Sequence, residues 1–317
     1  MNTTIVFGIV SLACEVVFVL YIVLSALDLG VCLISLTASN DDTCESILGT
    51  IDGIWHANQT WLVILGAALF GGFPTLYSDV LSSLYLPVLG LLVAIIIRGI
   101  AIEYRHYATA KRPWRFLAGF GAFAIILCQG IIFAAILTSQ TAFTSSSLLW
   151  KVVPIVTTSL LSLSLFLGAL WLDHTAQGKH LIHRHVLMFL VAGAGVSMTI
   201  LGLTLRCSIM PAPHVSGGLF AWFLSLTVLA VISAFMLIFS LRTHSLSIPW
   251  GLIIAALGLI AFLLSLDPST LSLADGMSVA ATSSNALSFQ STVMVLVLPL
   301  LLVFNVFAYR SFGTQVK

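Results

Sequence analysis

The chain has 317 residues, of which 60% are hydrophobic and 7% charged, and its mean hydropathy is +1.14. A soluble domain carries about 25% charged residues, so this charge content cannot cover the surface of a globule of this size. These values place the chain in a bilayer and exclude a disordered chain, a collagen, a basic nucleic-acid binder and a disulfide-rich secreted module. A net charge of +1 offers no bulk electrostatic means of recruiting a partner. The cysteines, Cys14, Cys32, Cys44, Cys128 and Cys207, are odd in number and widely spaced, and they read as packing residues, not as a disulfide framework or metal set. No Lys or Arg precedes Arg98, so the first apolar run lacks the basic flank of a secretory signal and reads as a retained helix.

A membrane-spanning helix needs about 20 apolar residues. Cutting the chain where charge, proline or polar clusters interrupt such runs predicts nine spans, at 5–36, 55–70, 78–97, 116–137, 152–172, 186–205, 219–241, 248–266 and 291–309. The first is too long for a perpendicular span, and the second is short and ends at the helix-stopping Gly71-Gly72-Phe73-Pro74. The chain reads as an all-α, multi-pass membrane domain over 1–317, divided at 1–138 and 152–317 into four spans and five. Ten basic residues fall in one set of loops and two in the other, which puts the N-terminus outside and the C-terminus in the cytoplasm. One connection, 38–54, dissents, because it carries Asp41, Asp42, Glu45 and Asp52 with no base. A nucleotide-binding P-loop is absent, which argues against an ATP-driven pump.

An ionisable group in hydrocarbon costs several kcal/mol, so each calls for a partner or a purpose. Tyr21, Ser25 and Asp28 share one face of the first helix, and they read either as a proton or ion path or as a hydrogen-bonded network that fixes packing. Glu15 points about 140° away from Asp28 on an ideal helix. Trp55, His56, Asn58, Gln59 and Trp61 open the second helix, where two tryptophans also suit an interfacial aromatic belt. Arg98, Glu103 and Arg105 close the third as a self-neutralising cluster or an anchor for an anionic group. None of the eight histidines falls in the middle of a span, so no metal site is expected and the chain is not expected to ligate haem. The run from Lys179 to His185 reads as a basic cytoplasmic loop.

The ordered set Leu27-Asp28-Leu29-Gly30-Val31, Trp55 with Asn58-Gln59-Thr60-Trp61-Leu62, Gly66-Ala67-Ala68-Leu69-Phe70 with Phe73-Pro74, Tyr77, Tyr85-Leu86-Pro87 and Arg98 to Arg105 resembles subunit II of the cytochrome bd-type quinol oxidases. Gly168-Ala169 with Thr175, and Asp267-Pro268-Ser269 through Ala281-Thr282-Ser283-Ser284, extend the resemblance over nearly the whole chain. The resemblance implies two four-helix bundles plus one peripheral helix in the bacterial cytoplasmic (inner) membrane, paired with a larger subunit I. In that family subunit I ligates two b-type haems and haem d and oxidises quinol, and oxygen is reduced to water with protons drawn from the cytoplasm. Subunit II ligates no haem. It supports the haem site, supplies part of a proton path, and in some members opens an oxygen route from the lipid or holds a structural quinone. Small accessory membrane subunits are left open, and no nucleic acid is implied.

Carried over by position, Asp28 and Arg98 match residues linked to haem-site integrity, with Glu103 and Arg105 in the same motif, and Trp61 matches the tryptophan beside the oxygen entrance. Trp55, Asn58 and Gln59 form the packing motif of the second helix. Two departures stand out: the second-helix acid of the proton path is His56 here, and an additional first-helix acid is Ser25. Either His56 and Ser25 still relay protons with Asp28, or protons arrive through subunit I or water. A secondary transporter and a non-catalytic assembly scaffold are the alternative readings. The transporter would need paired broken helices, and the Gly71–Pro74 interruption has no counterpart in the second half.

Overall fold

The computed structural model describes residues 3–137, 147–174 and 283–312. Within them the chain forms eight α-helices, α1 (Thr3–Ser35), α2 (Asp41–Gly49), α3 (Trp55–Gly72), α4 (Pro74–Ser83), α5 (Tyr85–Tyr104), α6 (Lys111–Leu137), α7 (Ser147–His174) and α8 (Ser284–Phe312), with a single 3₁₀ turn at Arg105–Tyr107. Among the described residues five helices are long and apolar enough to cross a membrane, at Val6–Ser35, Tyr85–Tyr107, Lys111–Ala135, Val152–Leu172 and Ser284–Ser311. The chain is therefore a multi-pass membrane protein, in keeping with a bacterial inner membrane.

The expected nine spans, and with them the architecture of two four-helix bundles plus one helix, are corrected by this count. The predicted second span exists as α3, but His56, Asn58, Gln59 and Thr60 in its first two turns lower its hydropathy below that of a spanning helix. The predicted third span is two helices. Leu84, with φ −110° and ψ 29°, interrupts it. Pro87 explains why α5 restarts there, because its ring offers no N–H to the carbonyl four residues back but is tolerated in a first turn. The predicted spans at 186–205, 219–241 and 248–266 lie outside the described residues.

Helix α1 is the axis of the fold. It is buried throughout from Tyr21 to Cys32, apolar there except for Tyr21, Ser25 and Asp28, as expected of a helix enclosed on every side. At about 50 Å it exceeds the roughly 30 Å hydrocarbon core. Its neighbours are α3, α6, α7 and α8, while α5 lies against α6. Gly30 permits the closest of these approaches, because a Cβ there would collide with the Ser164 carbonyl of α7. Helix α8 exposes most of its apolar surface and is fastened to α3 by polar contacts near both ends. Gln290 Nε2 donates to the Ala68 carbonyl at 2.7 Å, and Asn305 Nδ2 to the Ala57 carbonyl at 3.5 Å.

The connection that dissented in charge holds a helix that the apolar pattern does not reveal. Asn40 caps α2 by accepting from the Thr43 N–H at 2.7 Å, and Asp41 and Asp42 sit in its first turn, where the helix dipole favours acids. Cys44, Ile47 and Leu48 form its buried face, and burial raises the Cys44 thiol above its ordinary pKa.

Candidate functional site

Two charged centres lie along one face of α5. Arg98 and Asp28 form an ion pair at 3.1 Å in which both side chains are 0% exposed. Withdrawing two charges from water costs several kcal/mol per ion, which only close pairing and further hydrogen bonds offset. The second oxygen of Asp28 and the Nε and Nη1 of Arg98 have no hydrogen-bond partner among the described residues, so the pair retains unmet polar capacity. The Arg98 guanidinium lies over the Trp55 ring, 5.7 Å from its centroid, a cation–π contact that further stabilises the charge. Gly121 of α6 lets this arginine in, since a Cβ there would come within 2.9 Å of the Arg98 Cβ.

Polar residues continue along α1 from this pair. Ser25 is buried three residues before Asp28, and Tyr21, four residues earlier again, accepts a 2.6 Å hydrogen bond from Gln129 Nε2 of α6. Asn58 ties three helices together. Its Nδ2 donates to the Leu24 carbonyl of α1 at 3.1 Å, and its Oδ1 accepts from the Tyr309 hydroxyl of α8 at 3.0 Å. Tyr309 is held in turn by an edge-on contact with Trp171 of α7, centroids 5.6 Å apart. Replacing Asn58 with Leu leaves the part-buried Tyr309 hydroxyl without its acceptor and removes the bond to the Leu24 carbonyl, and is expected to lower stability by about 1 to 3 kcal/mol. Thermal unfolding in detergent measures this, and an unchanged midpoint would show that Asn58 is not a structural tie.

Seven residues beyond Arg98, on the same face of α5, stands the second centre. Arg105 is 2% exposed and binds Asp52 Oδ2 at 2.6 Å and Glu45 at 3.2 Å. It also donates to the Ile102 carbonyl. His106 sets Nδ1 3.0 Å from Glu45 and Nε2 3.2 Å from Asp52. Lys111 donates to the Arg105 carbonyl at 2.8 Å and lies 3.8 Å from Glu45, while Arg115 donates to the Ala38 carbonyl at 3.1 Å. The acidic connection is thus matched by bases of the 3₁₀ turn that follows α5 and of α6.

Asp28 and Arg98 are brought together as an ion pair, with Trp55 against the arginine and Ser25 buried one turn earlier on α1. His56 and Glu103 do not join them. They pair with each other at 3.9 Å on the outside of the helices, 65% and 52% exposed, and the His56 ring stacks on Trp55. Trp61 is buried among the helices at 1% exposure, and both amide atoms of Gln59 are buried without a partner among the described residues. Glu15 is exposed. The cluster from Lys179 to His185 lies outside the described residues. Sequence reasoning passed over Gln129, Asn305 and Tyr309; the available signal was an amide or hydroxyl interrupting an apolar run. Among the described residues no group of three or more His, Cys, Asp or Glu is placed to hold a metal ion. The two described histidine side chains, His56 and His106, are engaged with carboxylates near the surface and do not fit a haem-ligating pair.

Comparison with known proteins bears on what such a site belongs to. The chain is 30% identical over 126 residues to cytochrome bd ubiquinol oxidase subunit 2 of Bacillus subtilis (strain 168), covering 38% of this chain and 37% of that protein. It is 29% identical over 104 residues to cytochrome bd-I ubiquinol oxidase subunit 2 of Escherichia coli (strain K12), covering 32% of this chain and 27% of that protein. The matched stretches therefore span 37% and 27% of these relatives' lengths. A chain from the structure of bd oxidase from Geobacillus thermodenitrificans shares the fold, with a TM-score of 0.61 at 10% identity over 98% of this chain and 100% of that one. The profile of the family described as cytochrome bd terminal oxidase subunit II matches residues 3–312. With nearly its entire length so matched, the chain belongs to the cytochrome bd terminal oxidase subunit II family.

Proposed function

We propose that this chain is subunit II of a bd-type terminal oxidase that couples quinol oxidation to the reduction of oxygen to water, working beside a larger subunit I. The family match over residues 3–312 carries this reading, and it sets aside the secondary-transporter alternative. Haem b and haem d, held by subunit I, would supply electron storage and the oxygen-reducing centre. This chain's own contribution is structural and electrostatic. The Asp28–Arg98 pair braces α1 against α5 and keeps a carboxylate at membrane depth, supporting the haem-bearing partner. Ser25 and Asp28, on one face of α1, are groups along which protons move toward that partner.

A reduced-minus-oxidised visible spectrum of the affinity-purified protein tests the reading, recorded once with its chromosomal neighbours co-expressed and once alone. Haem b and haem d bands are expected in the co-expressed sample only. Absence of haem from both would overturn the oxidase assignment in favour of an assembly scaffold.

A further inference from the structure

We propose that the turn joining α5 to α6 holds one anionic phospholipid of the cytoplasmic leaflet, its phosphate on Arg112 and its acyl chains along the outward face of α6. The inference concerns this chain's own surface and goes beyond the oxidase reading. The apolar spans Tyr85–Tyr107 and Lys111–Ala135 end and begin here, so residues 108–110 between them mark an edge of the hydrocarbon. Three aromatic rings gather at that edge. Tyr104 and Trp114 stack with centroids 6.4 Å apart and planes 20° from parallel, and Tyr107 sets a third ring 6.5 Å from Tyr104. Tyr104 is 58% exposed and Tyr107 87%. Rings with one apolar end and one polar tip favour the depth of lipid headgroups.

Charge identifies what these rings face. Arg112 is exposed and has no hydrogen bond or ion pair among the described residues. Its neighbours are engaged within the chain: Arg105 with Asp52 and Glu45, Lys111 with the Arg105 carbonyl, and Arg115 with the Ala38 carbonyl. Arg112 therefore calls for an anion from outside the chain, and a phosphate suits a guanidinium whose fork binds two of its oxygens. A zwitterionic headgroup would also bring an ammonium. Glu45 and Asp52 are each shared by Arg105 and His106, and Glu103 pairs with His56, so the acids near this turn are already taken. Among the described residues, Arg98, Arg105, Lys111, Arg112, Arg115 and Arg310 lie at this end and Lys151 at the other. The positive-inside rule makes this end cytoplasmic, where anionic lipids give the leaflet its negative surface potential.

Arg112 also heads an apolar stripe. Phe116, Phe120, Phe123 and Leu127 follow it at spacings of four, four, three and four residues, which puts all five on one face of α6, and all are exposed. The rings of Phe116 and Phe120 lie 13° from parallel, 6.4 Å apart. From Phe116 to Leu127 the stripe runs about 16 Å along the helix axis, the depth of one leaflet of a roughly 30 Å hydrocarbon core. A molecule that satisfies both the base and the stripe is an amphiphile with an anionic head. A free phosphate ion would use Arg112 alone and leave the aromatic edge and the stripe without a role.

The test uses the full chain purified with its co-expressed neighbours, washed free of lipid in detergent and given phosphatidylglycerol that carries a photoactivatable diazirine in one acyl chain. Labelled peptides are then mapped by mass spectrometry. Labelling is expected on the stretch from Arg112 to Leu127. Unlabelled phosphatidylglycerol is expected to compete it away, while phosphatidylcholine and inorganic phosphate are not. Arg112→Gln is expected to lower labelling of this stretch about fivefold, the weight of one base at an anionic leaflet surface. Arg112→Lys is expected to restore most of it, which a merely steric role would not do. Because Arg112 is exposed and bonded to nothing among the described residues, its variants are expected to keep the wild-type size-exclusion profile. Labelling of Arg112→Gln equal to wild type, or competition by phosphatidylcholine as strong as by phosphatidylglycerol, would overturn the proposal. Competition by inorganic phosphate would overturn it in favour of a site for free anions. None of these outcomes bears on the oxidase reading, which stands or falls on the haem bands.

Discussion

Replacing Arg98 with Leu is expected to destabilise the assembled protein by about 3 to 5 kcal/mol, and Asp28→Leu to do the same, because either leaves an uncompensated charge buried. Both side chains are fully enclosed, so water cannot take over the lost interaction. The double variant Asp28→Leu/Arg98→Leu is expected to regain most of that stability, since a buried pair replaced by apolar groups of similar volume is often neutral. Thermal unfolding of the co-purified complex in detergent measures the first effect. The haem d absorption of the double variant then separates two roles. A folded double variant that has lost the band shows that the charges support the haem site, whereas one that keeps it reduces the pair to packing. Single variants as stable as wild type would refute the buried-charge argument.

Asp28 and Arg98 were each legible in the sequence as charges at membrane depth, but their pairing was not. They lie 70 residues apart on different helices, and no local spacing rule connects them. The partners of Glu45 and Asp52 were hidden for a related reason. The positive-inside rule counts charges by loop and is blind to ion pairs, so acids that bind Arg105 and His106 registered only as dissent. Long apolar runs such as α1 and α6 were readable within a few residues, because hydrocarbon admits little else than a helix with its backbone bonds satisfied internally. Shorter elements escaped. Helix α2 is nine residues with a narrow buried face, signalled only by its Asn40 cap, and the interruption at Leu84 followed from Pro87 within an otherwise apolar run. The side to which His56 turns depends on the contacts of Trp55 and Glu103, which are tertiary facts.

The contact between α1 and α7 supports the last expectation, because its obstacles are backbone atoms. A Cβ on Gly30 would meet the Ser164 carbonyl, and one on Gly168 would come within 2.5 Å of the Gly30 carbonyl carbon and 2.6 Å of the Val31 nitrogen. Neither can move without separating the helices, so Gly30→Ala and Gly168→Ala are each expected to cost at least about 3 kcal/mol, at or above the upper range for overpacking. Gly119 of α6 provides the contrast, since its added Cβ would meet the Leu36 side chain at 2.6 Å. A side chain can be trimmed, and Gly119→Ala is expected to be rescued by Leu36→Ala, while Gly30→Ala gains nothing from Ser164→Ala because the carbonyl remains. Size-exclusion profiles and unfolding midpoints of the complex in detergent distinguish the cases. Recovery of Gly30→Ala by Ser164→Ala would mean that the two helices are held apart by side chains, and the close backbone approach would have to be abandoned as the reason these positions are glycine.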